Sequence, residues 1–233
     1  MIVALNNKSN LNKQEFMSYQ DALSTVETTS TMILCASPLN IALFNLNNCY
    51  LGGQNVSKEL TGAHTGEIAA SQLKSFGVEY CIVGHSERRQ DQKETDNEIA
   101  EKIKNLYAQG IKPILCVGET REEREAGKVN DVIEREINIA TENLTAEEKD
   151  ELIVAYEPIW SIGTGLIPTN KEIQEVFELI NELLPNTKVL YGGSANEKNI
   201  DELKECSLID GYLLGGLSLK PDLLKVFLEK LEN

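Results

Sequence analysis

Residues 79–117 read EYCIVGHSERRQDQKETDNEIAEKIKNLYAQGIKPILCV, and this stretch decides the fold class. Two short and mainly apolar runs, Glu79–Val83 and Lys112–Val117, stand at its ends, as is typical of strands buried on both faces. Between them, over Asn97–Tyr107, apolar residues recur every three or four positions and charged residues occupy the other face. The stretch therefore predicts a strand, a helix and a second strand of a parallel sheet.

The same alternation continues along the whole chain. Thr169 and Glu172 form a capping-box pattern at the start of one helix. No Ser/Pro-rich linker, low-complexity tract or block of charge divides the 233 residues. The other predicted strands are Ile2–Leu5, Thr31–Ala36, Cys49–Gly53, Leu152–Tyr156, Lys188–Tyr191 and Ile209–Leu214, and the other clear helices are Val132–Ala140, Ile173–Leu184 and Leu223–Leu231.

Eight strands and about eight helices in 233 residues give roughly 29 residues per strand–helix unit, a natural length for such a unit. We therefore predict an α/β fold, a single (β/α)8 barrel whose one domain spans residues 1–233. Periodicity alone also allows an open, doubly wound sheet. In a barrel, the functional residues are expected at the carboxyl ends of the strands.

The composition limits the classes of partner. With 22 Lys and Arg against 37 Asp and Glu, the net charge is −15, which disfavours nucleic acids and anionic membranes but not a small anionic ligand. No apolar run approaches the ~20 residues that span a bilayer, and the start lacks a secretory pattern. The five cysteines are odd in number and form no CxxC pair, so we predict a reducing, cytoplasmic setting.

A polar cluster, GHSERR, follows the strand Glu79–Val83 and contains His85, one of only two histidines in the chain. A helix beginning beside His85 would lower its pKa, because the positive end of the helix dipole disfavours the imidazolium. A neutral imidazole can donate a hydrogen bond that polarises a carbonyl. Taken alone, the cluster is equally compatible with a structural histidine at a strand end.

A second cluster, Tyr156–Gly165, places a carboxylate directly after a strand. Pro158 favours an extended conformation for Glu157, so the carboxylate is presented from the strand end. The loop after it is apolar and contains two glycines, which suits a lid that excludes water. Burial under such a lid raises the basicity of a carboxylate, so Glu157 is a candidate general base.

Glycine pairs follow the last two predicted strands, at Gly192-Gly193-Ser194 and at Gly215-Gly216. Glycine lets backbone amides converge on an anion, and barrels often bind phosphate after strands seven and eight. Lys8, just past the first strand, adds a positive charge, and Gly163 lies in the lid. These features favour a phosphate-bearing ligand over plain turns.

Four strings resemble the triosephosphate isomerase family in order and spacing: YCIVGHSERR, AYEPIWSIGTG, YGGS and DGYLLGGLSL. The resemblance covers essentially the whole chain. It implies a cofactor-independent isomerase that interconverts D-glyceraldehyde 3-phosphate and dihydroxyacetone phosphate through an enediolate, in glycolysis and gluconeogenesis. No metal-ligand spacing occurs among the histidines and cysteines, and we expect neither a metal nor another cofactor.

The resemblance also implies a role for each site residue. A carboxylate base facing a neutral histidine is this family's known pattern, with Glu157 as the base and His85 as the electrophile. Asn6 and Lys8 would bind substrate, and Lys8 would stabilise the enediolate. The remaining implied residues are Gly163, Ser194, Gly215 and Gly216 for the phosphate, and Ser86, Glu87 and Glu119 in support.

Three segments depart from the family's usual pattern. Asn7 and Ser9 stand where the family has Trp and Met, and Leu166-Ile167-Pro168 stands where it has Lys-Thr-Ala. Thr61–Glu67 resembles the subunit-crossing loop, with His64 at a position where an aromatic ring is usual. The resemblance thus implies a homodimer in which Thr65 approaches the site of the other copy.

Two alternatives to a triose phosphate isomerase remain open from the residues. One is a related enzyme acting on a four-carbon aldose phosphate, and the other is a phosphate-binding protein without catalysis. The presence of Asn6, Lys8, His85 and Glu157 together argues against the second, because binding alone does not require a base.

Overall fold

The computed structural model describes residues 1–164 and 166–233. Within these residues, eight parallel strands pair in sequence order and close into a barrel. The strands are β1 (Ile2–Asn6), β2 (Thr31–Ala36), β3 (Tyr50–Gly53), β4 (Tyr80–Val83), β5 (Lys112–Val117), β6 (Ile153–Tyr156), β7 (Lys188–Tyr191) and β8 (Gly211–Leu214).

Helices surround the barrel, and in the described residues they outnumber the predicted eight because short helices begin directly after several strands. Two 3-10 helices, Ile159–Ser161 and Gly216–Leu219, lie at the ends of β6 and β8. The α-helices are α1 (Lys13–Leu23), α2 (Pro38–Ile41), α3 (Ala70–Ser75), α4 (Ser86–Asp91), α5 (Asp96–Tyr107), α6 (Arg121–Glu125), α7 (Val129–Thr141), α8 (Ala146–Glu151), α9 (Asn170–Leu183), α10 (Ile200–Leu203) and α11 (Pro221–Glu232).

The first and last strands close the barrel. Ile2–Leu5 of β1 pairs in parallel with Gly211–Leu214 of β8, which rules out the open sheet. A Cβ atom on Gly211 would lie 1.9 Å from the carbonyl oxygen of Ile2, so only glycine permits this approach. The predicted (β/α)8 barrel is confirmed.

The hydrophobic core has two layers. Ala4, Ile33, Ile82, Ile114 and Leu190 are among the residues that fill the barrel interior. Larger side chains of the outer strand faces pack against the helices in a second, more extensive cluster. Burial of each such side chain contributes about 1.5–3 kcal/mol relative to exposure. Packing of the helices therefore stabilises the barrel. The carboxyl ends of the strands are not needed for this packing and can carry polar residues.

The predicted element bounds are accurate at the strands and short at some helix starts. The Thr169–Glu172 capping box is present at the start of α9, as predicted. Helices α7 and α9 each begin three residues before the prediction. The first turn of α9 is polar and carries no apolar period, whereas α7 begins at the apolar Val129, one turn before the predicted start. Among the described residues all five cysteines are free thiols, and no helix is both long and apolar enough to cross a membrane.

Candidate active site

The predicted site residues meet in one cavity of about 460 Å³ at the carboxyl ends of the strands. Ser86, Glu87 and Glu119 do not line this cavity. The cavity is lined by Asn6, Lys8, His85, Glu157, Gly163, Ser194, Gly215 and Gly216, together with neighbouring residues of the same loops.

His85 stands where β4 ends and α4 begins. Gly84 has a φ of 70°, which turns the chain at this point, and His85 is the N-cap of α4. Its Nδ1 atom accepts a hydrogen bond from the backbone N–H of Glu87 at 3.2 Å. Nδ1 therefore carries no proton in this arrangement, and the proton of the neutral ring lies on Nε2, which faces the cavity.

Glu157 follows β6 and is buried, with its carboxylate between two donors of the β4 loop. Its Oε1 atom lies 3.0 Å from Nε2 of His85, and its Oε2 atom accepts the backbone N–H of Ser86 at 3.0 Å. The two candidate catalytic groups therefore contact each other directly.

This contact reverses the two pKa expectations. Burial, the largest influence on Glu157, raises its pKa, but His85 and the Ser86 amide lower it, and the net pKa lies below the usual value. Burial likewise lowers the pKa of His85, but the charge and hydrogen bond of Glu157 raise it above its usual value. The prediction of a lowered His85 pKa is wrong for this arrangement, because it considered only the helix and not the facing carboxylate.

Lys8 brings its charge to the cavity from the end of β1. Its backbone has a φ of 51°, and its N–H donates to Oδ1 of Asn6 at 3.0 Å. The Nζ atom lies 2.5 Å from Oε1 of Glu87. A Cβ atom on Gly215 would lie only 3.4 Å from Cε of Lys8, so the lysine packs against the glycine loop that follows β8.

The loop after β7 needs its glycines because the backbone passes close to other groups. A Cβ atom on Gly192 would lie 2.9 Å from Cγ of Glu157, and one on Gly193 would collide with the ring of Tyr191. Ser194 Oγ donates to the carbonyl oxygen of Ser161 at 2.6 Å, which joins this loop to the lid. The glycine cluster and the lid thus form one wall of the cavity.

The lid begins with the 3-10 helix Ile159–Ser161 and contains Gly163, whose φ is 71°. Trp160 Nε1 donates to Oε1 of Glu119 at 2.8 Å, and Glu119 is fully buried. The structure thus brings Glu119 into contact with the start of the lid. Gly165, the last residue of the lid string, lies outside the described residues.

The sequence reasoning missed Arg124. Its Nε donates to Glu119 and its Nη1 to Glu172, each at 2.8 Å, and the guanidinium lies 5.1 Å from the centre of the Trp160 ring. Arg124 therefore balances the charge of the buried Glu119. Its position in the charged run REERE gave no sign of this role, because most residues of such a helix face solvent.

Comparison with known proteins identifies the family. A family model described as triosephosphate isomerase matches residues 1–231. The chain belongs to the triosephosphate isomerase family. It is 39% identical to the triosephosphate isomerase of Lactobacillus delbrueckii subsp. bulgaricus, over 95% of this chain and 94% of that protein. The triosephosphate isomerases of Aspergillus oryzae and Alkaliphilus oremlandii are 45% and 44% identical over 73% and 75% of this chain.

The resemblance to the triosephosphate isomerase family is therefore confirmed, and each of the four strings runs to the same end of the barrel. YCIVGHSERR contains β4 and His85, and AYEPIWSIGTG begins with the last two residues of β6, directly before Glu157. YGGS begins with the last residue of β7, and DGYLLGGLSL contains β8. Asn7, which departs from the family pattern, is buried, and its Nδ2 donates to Ser218 Oγ at 3.2 Å. A polar contact thus replaces an apolar ring beside the site.

Proposed function

We propose that this protein interconverts D-glyceraldehyde 3-phosphate and dihydroxyacetone phosphate through an enediolate, without a cofactor, as a step of glycolysis and gluconeogenesis. The observation that carries the proposal is the meeting of Glu157, His85 and Lys8 in a cavity whose far wall is made of glycine loops. Membership of the triosephosphate isomerase family supports it.

The reaction requires one base that serves two neighbouring carbons. The proton on C2 of the aldehyde moves to C1, the hydroxyl proton on O2 moves to O1, and no net oxidation occurs. Glu157 is proposed to take the C2 proton and return it to C1. The cavity lining contains a second carboxylate, Glu197, but Glu157 is the one that lies against His85.

Substrate binding would separate Glu157 from His85, and each group would then contact the substrate instead. This change shifts the pKa of each group in the direction that the reaction needs. Once apart, each loses the strongest of the influences that opposed the effect of burial on its pKa. Burial then raises the pKa of Glu157, which makes it a stronger base, and lowers the pKa of His85, which keeps the ring neutral. We propose that His85 donates its Nε2 proton in a hydrogen bond to the substrate oxygens.

The phosphate group is proposed to bind at the glycine wall. Gly163, Ser194, Gly215 and Gly216 supply the backbone amides, and Lys8 supplies positive charge in a protein whose net charge is −15. Asn6 would contact the substrate from the end of β1. Ser86, Glu87 and Glu119 are proposed to hold the catalytic groups and the lid in place.

A coupled enzyme assay tests the function. We expect turnover of both triose phosphates and about 10- to 200-fold lower kcat/KM for a four-carbon aldose phosphate, because one extra carbon changes transition-state binding by about 1–3 kcal/mol. Preference for the four-carbon substrate would support the related enzyme instead. Phosphate binding without turnover of any of the three would support the non-catalytic alternative.

We also propose that residues 1–233 form one domain, and that the protein acts in the cytoplasm as a homodimer. The loop Thr61–Glu67 is exposed throughout, and a second cavity of about 500 Å³, lined by Lys8, His85 and Glu87, opens beside the first. In the proposed dimer, this loop of one copy enters the second cavity of the other, where Thr65 approaches Lys8 and His85.

Sedimentation at micromolar concentration tests the dimer. We expect Thr65→Glu to weaken association, because the new carboxylate would meet Glu87 in the second cavity. Thr25→Glu, on an exposed turn outside both cavities, is the matched control. A fully active monomer, or equal association of the two variants, would contradict the proposed dimer.

A further inference from the structure

A buried ionic cluster lies behind the site, between the barrel and helices α4, α5 and α7. Glu136 is 4% exposed, and its Oε1 atom lies 3.3 Å from Nη1 of Arg89. Arg89 also pairs with Asp96 at 2.5 Å, and Arg135 closes the cluster from its solvent side. None of these residues lines the cavity, and the reaction proposed above does not use them.

Glu136 holds the backbone just beyond β5. Its Oε2 atom accepts the backbone N–H of Gly118 at 3.0 Å. On the other side of Gly118 lies the backbone of Glu157, so close that a Cβ atom on Gly118 would be 1.8 Å from the Glu157 carbonyl oxygen. The backbone N–H of Glu157 donates to Val117 at 2.7 Å. A shift of Gly118 would therefore move the backbone that carries the base.

Arg89 holds the backbone that leads to His85. Its Nε donates to the carbonyl oxygen of Gly84 at 2.7 Å, and its Nη2 donates to the carbonyl oxygen of Cys116 at 3.3 Å. One guanidinium thus bridges the end of β4, directly before His85, and β5. Because Arg89 and Glu136 also pair with each other, the loops that carry His85 and Glu157 are tied to one rigid group.

We propose that Glu136 and Arg89 are positioning residues, which set the separation of His85 and Glu157 from behind the barrel wall. This inference rests on the proposed isomerase function. Displacement of a reacting group by about 1 Å can cost on the order of 10²-fold in rate. The phosphate loops after β7 and β8 do not touch the cluster, so loss of either residue lowers kcat and leaves KM nearly unchanged.

The negative charge of Glu136 stabilises the ionic cluster. Burial raises its pKa to about 7, against the lowering effect of Arg89, the Gly118 amide and Arg135, while Asp96 raises it further. Protonation would remove the charge that faces Arg89 and loosen the cluster. In the wild type, kcat therefore falls as the pH drops through about 7, and this acid limb is absent when residue 136 cannot ionise.

Glu136→Gln is the direct test, because glutamine keeps the acceptor for Gly118 and loses the charge. We expect kcat to fall about tenfold, KM to change less than about twofold, and the acid limb near neutral pH to disappear. Asp210→Asn is the matched control. Asp210 also accepts a strand N–H, from Val189, and pairs with Lys188, but at the opposite end of the barrel.

Arg89→Lys is a second variant in case the glutamine variant folds poorly. Lysine keeps the charge but cannot bridge both carbonyl oxygens, so we expect the same loss of kcat at unchanged KM. Wild-type kcat in either folded variant, or an equal loss of kcat in Asp210→Asn, would overturn the positioning role.

A readout without substrate separates this inference from the proposed function. The His85 ring resonances should shift in Glu136→Gln and remain in place in Asp210→Asn. If the wild type fails to convert triose phosphates, the function is wrong whatever these resonances do. If the wild type is active and the His85 resonances do not move, only the positioning role fails.

Discussion

The Nζ atom of Lys8 and the Oε1 atom of Glu87 lie 2.5 Å apart at the mouth of the cavity. The side chain of Glu87 is 48% exposed and that of Lys8 26% exposed, so solvent screens the pair. Exposed ion pairs contribute about 0–1 kcal/mol, which an arriving dianion can offset. Lys8 is therefore held in position but remains available to a phosphate group.

Replacement of this lysine should weaken anion binding. We expect Lys8→Met to raise the Kd for inorganic phosphate about 10- to 150-fold, because a charge-assisted contact of about 1.5–3 kcal/mol is lost. Calorimetry measures the constant, and Lys188→Met, at the start of β7, removes the same charge outside the cavity. Equal affinity in the wild type and Lys8→Met would remove Lys8 from the binding site.

Glu157→Gln should affect turnover far more than substrate affinity. General-base catalysis is typically worth ~10²–10⁴-fold, and we expect kcat to fall within this range at nearly constant KM. Glu197→Gln, a change of the same kind in the cavity lining, is the control. Steady-state assays in both directions measure the effect, and near wild-type turnover of Glu157→Gln would exclude Glu157 as the base.

The pKa of His85 should depend on the charge of Glu157. The carboxylate raises it, so a raised pKa in the wild type should fall when Glu157→Gln removes the charge and leaves burial to act. An NMR titration of the ring, with His64 as an internal reference, measures both proteins. An identical His85 titration in the two would contradict the contact at 3.0 Å.

The end of α11 should contribute to stability in a pH-dependent way. Glu232 accepts hydrogen bonds from the hydroxyl of Thr28, the N–H of Thr29 and the N–H of Ser30, and its pKa is lowered to about 2. A lowered pKa stabilises the fold above the unfolded value of about 4.3, and this stabilisation is lost as the pH falls toward 2.

Glu232→Gln should therefore lower the Tm at pH 7 by about 2–4 °C, the shift expected for about 1 kcal/mol in a protein of this size, because solvent screens this exposed carboxylate and limits its contribution. The difference from the wild type should shrink as the solution is acidified below the unfolded pKa. Thermal unfolding followed by circular dichroism measures both effects. A Tm difference that is constant down to pH 2.5 would show that the carboxylate charge is not involved.

Local pattern predicted the strand–helix units of the barrel but also allowed an open, doubly wound sheet, which only the pairing of β1 with β8 rules out. The strands of the barrel are continuous apolar runs, and its glycine pairs mark the loops after β7 and β8. The pKa values of His85 and Glu157 were predicted in the wrong direction because each depends on the other residue. The two residues are far apart in the sequence, and local sequence patterns do not show contacts between distant residues. Only the closed barrel brings these two to 3.0 Å.

Glu136 could have been found from the sequence. In α7 it stands between Ile133 and Ile137 on the apolar face, where a carboxylate needs a buried partner. Its partner could not be found, because Arg89 lies in a run of charged residues on another helix. In such a buried ion pair, one partner interrupts the apolar face of its helix and can be recognised in the sequence. The other partner cannot be distinguished in the sequence from an ordinary surface residue.

The pairing of β1 with β8 has a consequence for synthesis on the ribosome. Lys8 emerges among the first residues, whereas Gly215, against which it packs, follows the last strand. A nascent chain thus carries Lys8 for nearly the whole of translation without the glycine loop with which it would form the proposed phosphate site. Contacts between residues so far apart in the sequence form slowly. Enzyme activity therefore begins only after β8 has left the exit tunnel and paired with β1.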